Sequence, residues 1–239
     1  MILSVVIPAY NESMRLPNTL HQAHQWLNEY MPGDFEIIVV DDGSSDDTPE
    51  KVQELMTSMP ELSLLVQPQN MGKGAAVRRG MLAAAGDFHV FMDADHSTHI
   101  REIEKVFQLL ADHPHVSVVI ASRQHPESDI SQHQSWLREH MGQSFNLLMR
   151  MATGIDMPDT QCGFKAFTAN ASRRIFSAQK INGFSFDVEV LYLAAKLHFS
   201  VAEIPVEWIN EPNSRVRILV DPVKMFADIL RIRMLHRKD

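Results

Sequence analysis

Two aspartates separated by one residue, Asp93-Ala94-Asp95, follow directly on an apolar run, Phe88-His89-Val90-Phe91-Met92. Carboxylates so spaced share one turn, and hard cations such as Mg²⁺ or Mn²⁺ take oxygen ligands while keeping substrate phosphates in their shell. Asp93 and Asp95 are therefore candidate ligands for a metal that bridges to a diphosphate. A second cluster, Asn70-Met71-Gly72-Lys73-Gly74-Ala75-Ala76-Val77-Arg78-Arg79-Gly80, combines glycines that permit close backbone approach with Lys73 and Arg78, which suit phosphate. It matches neither the P-loop nor the dinucleotide fingerprint. Pro8-Ala9-Tyr10-Asn11-Glu12 and Asp41-Asp42-Gly43-Ser44-Ser45-Asp46 add further acidic groups after apolar runs. Like charges gathered in this way repel unless a cation or a hydrogen-bonded ligand compensates them.

The elements that must position these groups are legible from periodicity. Leu3–Ile7, Phe35–Val40, Leu62–Val66, Phe88–Met92 and Val116–Ala121 are short runs rich in Val, Ile and Phe, bounded by Gly, Pro, Asp or Asn, and read as strands. Between them, Leu16/Leu20/Ala23/Leu27/Tyr30, Val52/Leu55/Met56/Met59 and Ile100/Ile103/Val106/Phe107/Leu110 fall at helical spacing. Thr48-Pro49 predicts a helix start with a hydroxyl cap. Continuous apolar strands separated by helices predict a mostly parallel sheet covered on both faces, with ligands outside the carboxyl ends of its strands. The acidic turns lie at those ends. Beyond residue 123, residues 124–135 read as an irregular mobile loop and Trp136 to Ala152 as a helix ended by Gly154. Gly163–Phe167 and Val201–Trp208 read as strands, with a helix from Asp187 to His198 between them.

Composition limits the function. The 239 residues are 45% hydrophobic and carry 22 Lys+Arg against 30 Asp+Glu, a formal charge of −8, which argues against a nucleic-acid partner. Cys162 stands alone, so neither an internal disulfide nor a Cys-rich zinc site is available, and the cytosol is the expected compartment. Residues 1–8 read as a strand, not a targeting signal, and no apolar run of about 18 residues occurs. The chain is not expected to cross a membrane. The histidines at 96, 99, 113, 115, 125 and 133 follow no zinc-site spacing and read as surface positions, with His96 a neighbour of the metal shell. The 14 methionines read as core filler.

Val6-Ile7-Pro8-Ala9-Tyr10-Asn11-Glu12, Val40-Asp41-Asp42-Gly43-Ser44-Ser45-Asp46, Asn70-Met71-Gly72-Lys73-Gly74 and Asp93-Ala94-Asp95 together resemble the inverting glycosyltransferases of family two. Asp159-Thr160-Gln161-Cys162-Gly163-Phe164-Lys165 and Phe186-Asp187-Val188-Glu189 are similar to the branch that glycosylates polyprenyl phosphates, in particular the dolichyl-phosphate β-glucosyltransferases. The resemblance implies a GT-A type α/β fold over one domain, residues 1–239, with a nucleotide-sugar half at 1–123 and an acceptor half at 124–239. It assigns Pro8, Tyr10 and Glu12 to the nucleotide pocket and Asp42 to the uracil or guanine edge. Asp93 would lie near the ribose and diphosphate, with Asp95 on the metal. It also assigns Arg123 and Arg138 to the acceptor phosphate. The implied catalytic set is Asp95, Arg123, Arg138 and Lys73, with Mg²⁺ or Mn²⁺ as cofactor.

The implied reaction moves a hexose, glucose by resemblance alone, from UDP-glucose to a polyprenyl phosphate. An anionic phosphate nucleophile requires no protein base. Hydroxyl-glycosylating relatives carry Glu-Asp and then Gln-x-x-Arg-Trp, strings absent after residue 130, although Asp159 or Asp187 is a possible base in that alternative. A GDP-mannose donor, a nucleotidyltransferase, and a nucleotide-sugar-binding protein without turnover also remain open. From Arg215 to Lys238, Arg215, Arg217, Lys224, Arg231, Arg233, Arg237 and Lys238 face only Asp221 and Asp228, around an apolar helical stripe starting after Asp221-Pro222. Such a helix suits either an anionic membrane surface, which would make the protein peripheral on the inner face, or packing on the sheet with its basic side in solvent.

Overall fold

β-Branched and aromatic runs build the sheet, and amphipathic helices cover it. The structure is a computed structural model and describes residues 2–130, 157–209, 228 and 231–237. In chain order its elements are β1 (Leu3–Ala9), α1 (Leu16–Tyr30), β2 (Phe35–Asp41), α2 (Thr48–Met56), β3 (Leu62–Val66), α3 (Lys73–Ala83), β4 (Phe88–Met92), α4 (Ile103–Asp112, after a 3₁₀ turn at Ile100–Glu102) and β5 (Val116–Ser122). There follow β6 (Asp129–Ile130), β7 (Phe164–Thr168), α5 (Ala169–Ala178), α6 (Phe186–Lys196), β8 (Ser200–Pro205) and β9 (Glu207–Trp208). The Trp136–Ala152 helix expected from sequence, with Arg138, lies outside the described residues.

Seven strands form one sheet in the order β3-β2-β1-β4-β7-β5-β8. The expected mostly parallel sheet is present, and β7 alone runs antiparallel, pairing Met92 with Phe164 and Ile120 with Lys165. That reversal matters for the site. The start of β7 lies beside the carboxyl ends of β4 and β5, so the Asp159–Gly163 segment before it reaches the same edge as Asp93 and Arg123. Strand order also reverses between β1, which leads outward to β2 and β3, and β4, and such a switch point opens a crevice at the strand ends.

One core, including Leu20, Leu27, Val52, Ile103 and Val106, lies under α1, α2 and α4. The other, including Val77, Met81, Ile175, Phe176 and Leu193, lies under α3, α5 and α6. Gly80 permits α3 to sit close, because a Cβ there would lie 2.3 Å from Val6 Cγ1. Helix α6 buries Phe186 through Leu191 without a break, Asp187 and Glu189 included.

Three expectations are corrected. Thr48 does not cap α2: its hydroxyl donates to Asp46 Oδ1 (2.5 Å) and accepts from the Glu12 N–H (2.8 Å), which fastens the helix start to the β1 turn. Part of the 124–135 stretch is ordered, since β6 pairs with β9, and the expected 201–208 strand breaks at Val206 into β8 and β9. Helix α5 had no place in the sequence reading; Thr168, whose hydroxyl accepts from the Ala171 N–H, starts it.

Candidate active site at the strand ends

Most of the strand-end carboxylates are compensated by this chain's own donors. Glu12, buried, is held by Arg15 through Nε (2.7 Å) and Nη2 (2.6 Å). Burial works against the Asp46 carboxylate, but hydrogen bonds from the Thr48 and Ser13 side chains, and then from their N–H groups, outweigh it and lower its pKa. Asp41 Oδ2 accepts from the Ser44 N–H, and its buried Oδ1 has no hydrogen-bond partner among the described residues. Asp42 is buried with both oxygens engaged: Oδ1 accepts from Gln67 Nε2 (2.6 Å) and the Met71 N–H (2.7 Å), and Oδ2 from the Gly72 N–H (2.8 Å). Burial raises its pKa despite these bonds. Asp42 therefore holds the 67–72 turn, and Gly43 lets that turn close, since a Cβ there would lie 2.4 Å from the Gln69 carbonyl carbon.

Of the β1 candidates, Pro8 is buried in the strand opposite Val40, and Tyr10 is 38% exposed at the edge. Asn11 takes the left-handed region (φ 53°), which asparagine tolerates, while its N–H donates to Ser44 Oγ (2.8 Å) and its Oδ1 accepts from the Ser45 N–H (2.8 Å). The β1 and β2 turns are thereby one unit.

At the end of β4, Lys73 Nζ lies 2.6 Å from Asp93 Oδ1. Burial works against the ammonium charge, but Asp93, Asp187 and Asp95 outweigh it and raise the Lys73 pKa. Gly163 gives Asp93 its room: a Cβ there would stand 2.0 Å from Asp93 Oδ2. Asp95 accepts from the Ser97 N–H (3.0 Å) and forms no ion pair among the described residues; burial and then Asp93 raise its pKa, with the Ser97 hydrogen bonds and Lys73 opposing. The chain turns sharply past it, with His96 at φ 61°. A carboxylate desolvated beside another carboxylate is what a bound cation would relieve, and hard oxygen donors suit Mg²⁺ or Mn²⁺. Among the described residues no three His, Cys, Asp or Glu side chains form a closed metal cage, so such an ion would need phosphate oxygens to complete its shell.

On the other side, Arg123 closes β5 and meets fully buried Asp159. The Arg123 N–H (2.9 Å) and Nε (2.7 Å) donate to Oδ2, and Nη2 (2.9 Å) to Oδ1. Burial alone would raise the Asp159 pKa, but Arg123 holds it at about 2. Arg123 lies 5.5 Å from the centre of the Trp208 ring, which fixes the guanidinium plane. Lys165, a strand-interior lysine with no exposure, donates to Asp187 Oδ1 (2.5 Å) and the Cys162 carbonyl (2.7 Å). Burial raises the Asp187 pKa, with Lys165 and Lys73 opposing. Neither Asp159 nor Asp187 is thus an uncommitted base. Lys165 stands in the Asp159–Lys165 motif with no role evident from its type alone; the signal for burial is a lone lysine among apolar residues in Phe164-Lys165-Ala166-Phe167. Arg78, grouped with Lys73 from the sequence, instead donates to the Phe176 carbonyl (2.9 Å) and ties α3 to α5.

Residues 4–176 match the family model described as glycosyl transferase family 2. The chain belongs to this family. Its relatives include the dolichyl-phosphate beta-glucosyltransferase of Dictyostelium discoideum, 38% identical over 98% of this chain and 74% of that protein. The Saccharomyces cerevisiae and Homo sapiens proteins of the same name are each 33% identical, over 99% and 98% of this chain and 75% of theirs. Among solved structures, glucosyl-3-phosphoglycerate synthase from Mycobacterium tuberculosis, crystallised with Mn²⁺, UDP and glucosyl-3-phosphoglycerate, superposes with a TM-score of 0.69 at 19% identity, covering 98% of this chain and 78% of that one. The same enzyme with Mg²⁺ and UDP also gives 0.69, at 18% identity. The expected GT-A α/β fold is therefore present. Among the described residues of this family member, no helix is long and apolar enough to cross a membrane.

Proposed function

We propose that the chain transfers glucose from UDP-glucose to a polyprenyl phosphate with inversion at the anomeric carbon. One observation carries the choice of acceptor: both carboxylates on the acceptor side, Asp159 and Asp187, are buried in ion pairs, while Arg123 keeps Nη1 outside its pair with Asp159. A hydroxyl acceptor needs a base, whereas a phosphate monoester is already an anionic nucleophile and needs only to be gripped and aimed. Arg123, with Arg138 as its partner by family resemblance, supplies that grip. The names of the relatives supply the sugar and lipid class.

On the donor side, Asp95 with Asp93 would hold the divalent ion, which when bound offsets charge on the diphosphate. Lys73 brings a permanent positive charge to the same place, pre-positioned by Asp93 and costing no reorganisation during the reaction. Tyr10 and the buried Asp41 Oδ1 border the nucleotide position, and Asp42 serves it by fixing the 67–72 turn. Pro8 in β1 and Glu12 in the turn that follows it shape that pocket. We place the reaction at the cytoplasmic face of a membrane, where a lipid phosphate is presented. In the described part of the C-terminal segment, Ile232 packs into the core while Arg231, Arg233 and Arg237 remain exposed and available to anionic lipid.

The test is partition of labelled glucose from UDP-glucose into organic solvent in the presence of Mn²⁺ and a short polyprenyl phosphate. Label should appear only with both, and GDP-mannose should be a poor donor. Equal transfer without lipid phosphate would overturn the proposal.

A further inference from the structure

The segment joining α5 to α6 lies directly over the turn that carries Lys73. Asn182 O accepts from the Ala75 N–H (3.2 Å), and Gln179 Nε2 donates to both Gly74 O (2.9 Å) and Ile181 O (2.8 Å). No slack exists between them. A Cβ on Gly72 would lie 2.4 Å from Asn182 O, and one on Gly74 would lie 2.7 Å from Ile181 O. Lys73 sits between these two glycines, so movement of the 179–183 strap moves its ammonium.

Glu189 holds the strap from behind. It is fully buried in α6, its Oε1 accepting from the Lys180 N–H (2.9 Å) and its Oε2 from the Ile181 N–H (2.8 Å). Burying a carboxylate costs free energy that packing alone does not require, and here its lone pairs satisfy backbone donors outside any helix or strand. In the described part of the C-terminal segment, His236 Nε2 lies 2.6 Å from Glu189 Oε1, and two further bonds tie that segment to the neighbouring chain, Lys180 Nζ donating to Leu235 O (2.8 Å) and Ser185 Oγ to Asp228 Oδ2 (3.2 Å).

We propose that Glu189 is a positioning residue for glycosyl transfer, fixing Lys73 against Asp93 through the strap, and that His236 ties the C-terminal segment into this lock. The role rests on the reading of Lys73 as the cation for the leaving diphosphate. Losing the lock shifts a charge that must be placed closely, and small misplacements cost large factors in rate.

The test is a double-mutant cycle with a second, activity-independent readout. Glu189→Gln should lower kcat/KM about tenfold or more, and combined with Lys73→Met should lose no more than about twofold beyond Lys73→Met alone, because both act on one interaction. Multiplying losses, or unchanged kcat/KM in Glu189→Gln, would overturn the proposal. Acylation of Lys73 by acetic anhydride, followed by mass spectrometry, should quicken in Glu189→Gln and in His236→Gln but not in Val106→Ala, a destabilising control under the opposite face of the sheet. His236→Gln carries this test if Glu189→Gln does not fold, and unchanged Lys73 acylation there would equally refute the lock. If the wild-type protein shows no lipid-dependent transfer, the functional reading fails and the acylation rates still decide the lock.

Discussion

Replacing Asp95 by Asn removes a strand-end carboxylate that forms no ion pair among the described residues and is desolvated beside Asp93, and its consequences for stability and activity should run in opposite directions. In wild type, burial and Asp93 raise the Asp95 pKa above 3.8, so the folded protein keeps that proton to a higher pH than the unfolded chain. Stability is therefore lost as pH rises from 3.8 through the raised value, and Asn escapes the loss. In EDTA at pH 7, Asp95→Asn should melt at or above wild type, with the gap narrowing as pH is lowered toward 3.8. Mn²⁺ and UDP at about a hundredfold over Kd should stabilise wild type by about 2.7 kcal/mol. For a chain of this length that is roughly 5–11 °C. The variant should gain less than half of that shift. Transfer should fall by about 10²–10³, the usual cost of removing one preorganised electrostatic contact with a developing charge, about 3–4 kcal/mol. Differential scanning fluorimetry and the labelled-glucose assay measure both. A variant that turns over within about threefold of wild type, or shows the full Mn²⁺ shift, would refute the assignment of Asp95 to the metal.

Gly163→Ala should leave the fold intact and cut transfer at least about tenfold, because the new Cβ would enter the Asp93 carboxylate and displace the Lys73 partner; circular dichroism with steady-state kinetics checks this. Asp159 is held at about 2 against an ordinary 3.8, so it contributes roughly 2 kcal/mol above pH 3.8 that is lost as pH falls toward 2. Asp159→Asn should abolish that acid-side dependence and cost about 3–5 kcal/mol near neutrality by leaving Arg123 unpaired, as urea titrations across pH would record. Lys165→Met alone should cost a similar amount, about 3–5 kcal/mol, and adding Asp187→Leu should restore part of it, since an apolar pair can replace a buried ion pair.

The strands and their acidic ends were legible because each strand is a short apolar run closed by Gly, Pro, Asp or Asn, and helices α1, α2 and α4 because their apolar residues recur at helical spacing. The direction of β7 was not. Nothing in Phe164-Lys165-Ala166-Phe167-Thr168 encodes orientation, yet that orientation brings Asp159 and Gly163 to the site. Helix α5 escaped notice because Ser172, Arg173 and Arg174 interrupt its sparse apolar stripe of Ala171, Ile175 and Phe176. Within the site, the metal candidate Asp95 and the basic Lys73 and Arg123 were chosen from residue type and family resemblance, and the structure places them along one sheet edge. The consumption of Asp42 by the 67–72 turn and of Glu12 by Arg15 depends on backbone N–H groups and side-chain reach that spacing does not specify. Lys165 carried the opposite lesson: a lysine in a strand suggests an exposed face, and only the buried Asp187 from a distant helix explains its place.

The phosphate acceptor is tested most directly by the product itself. After reaction of UDP-glucose, Mn²⁺ and a short polyprenyl phosphate with the protein, ³¹P and ¹H NMR of the extracted lipid should show the monoester converted to a β-linked glucosyl phosphodiester, with one UDP released per molecule formed. An α-linked product would contradict inversion, and UDP release with the lipid phosphate left unmodified would contradict the acceptor assignment.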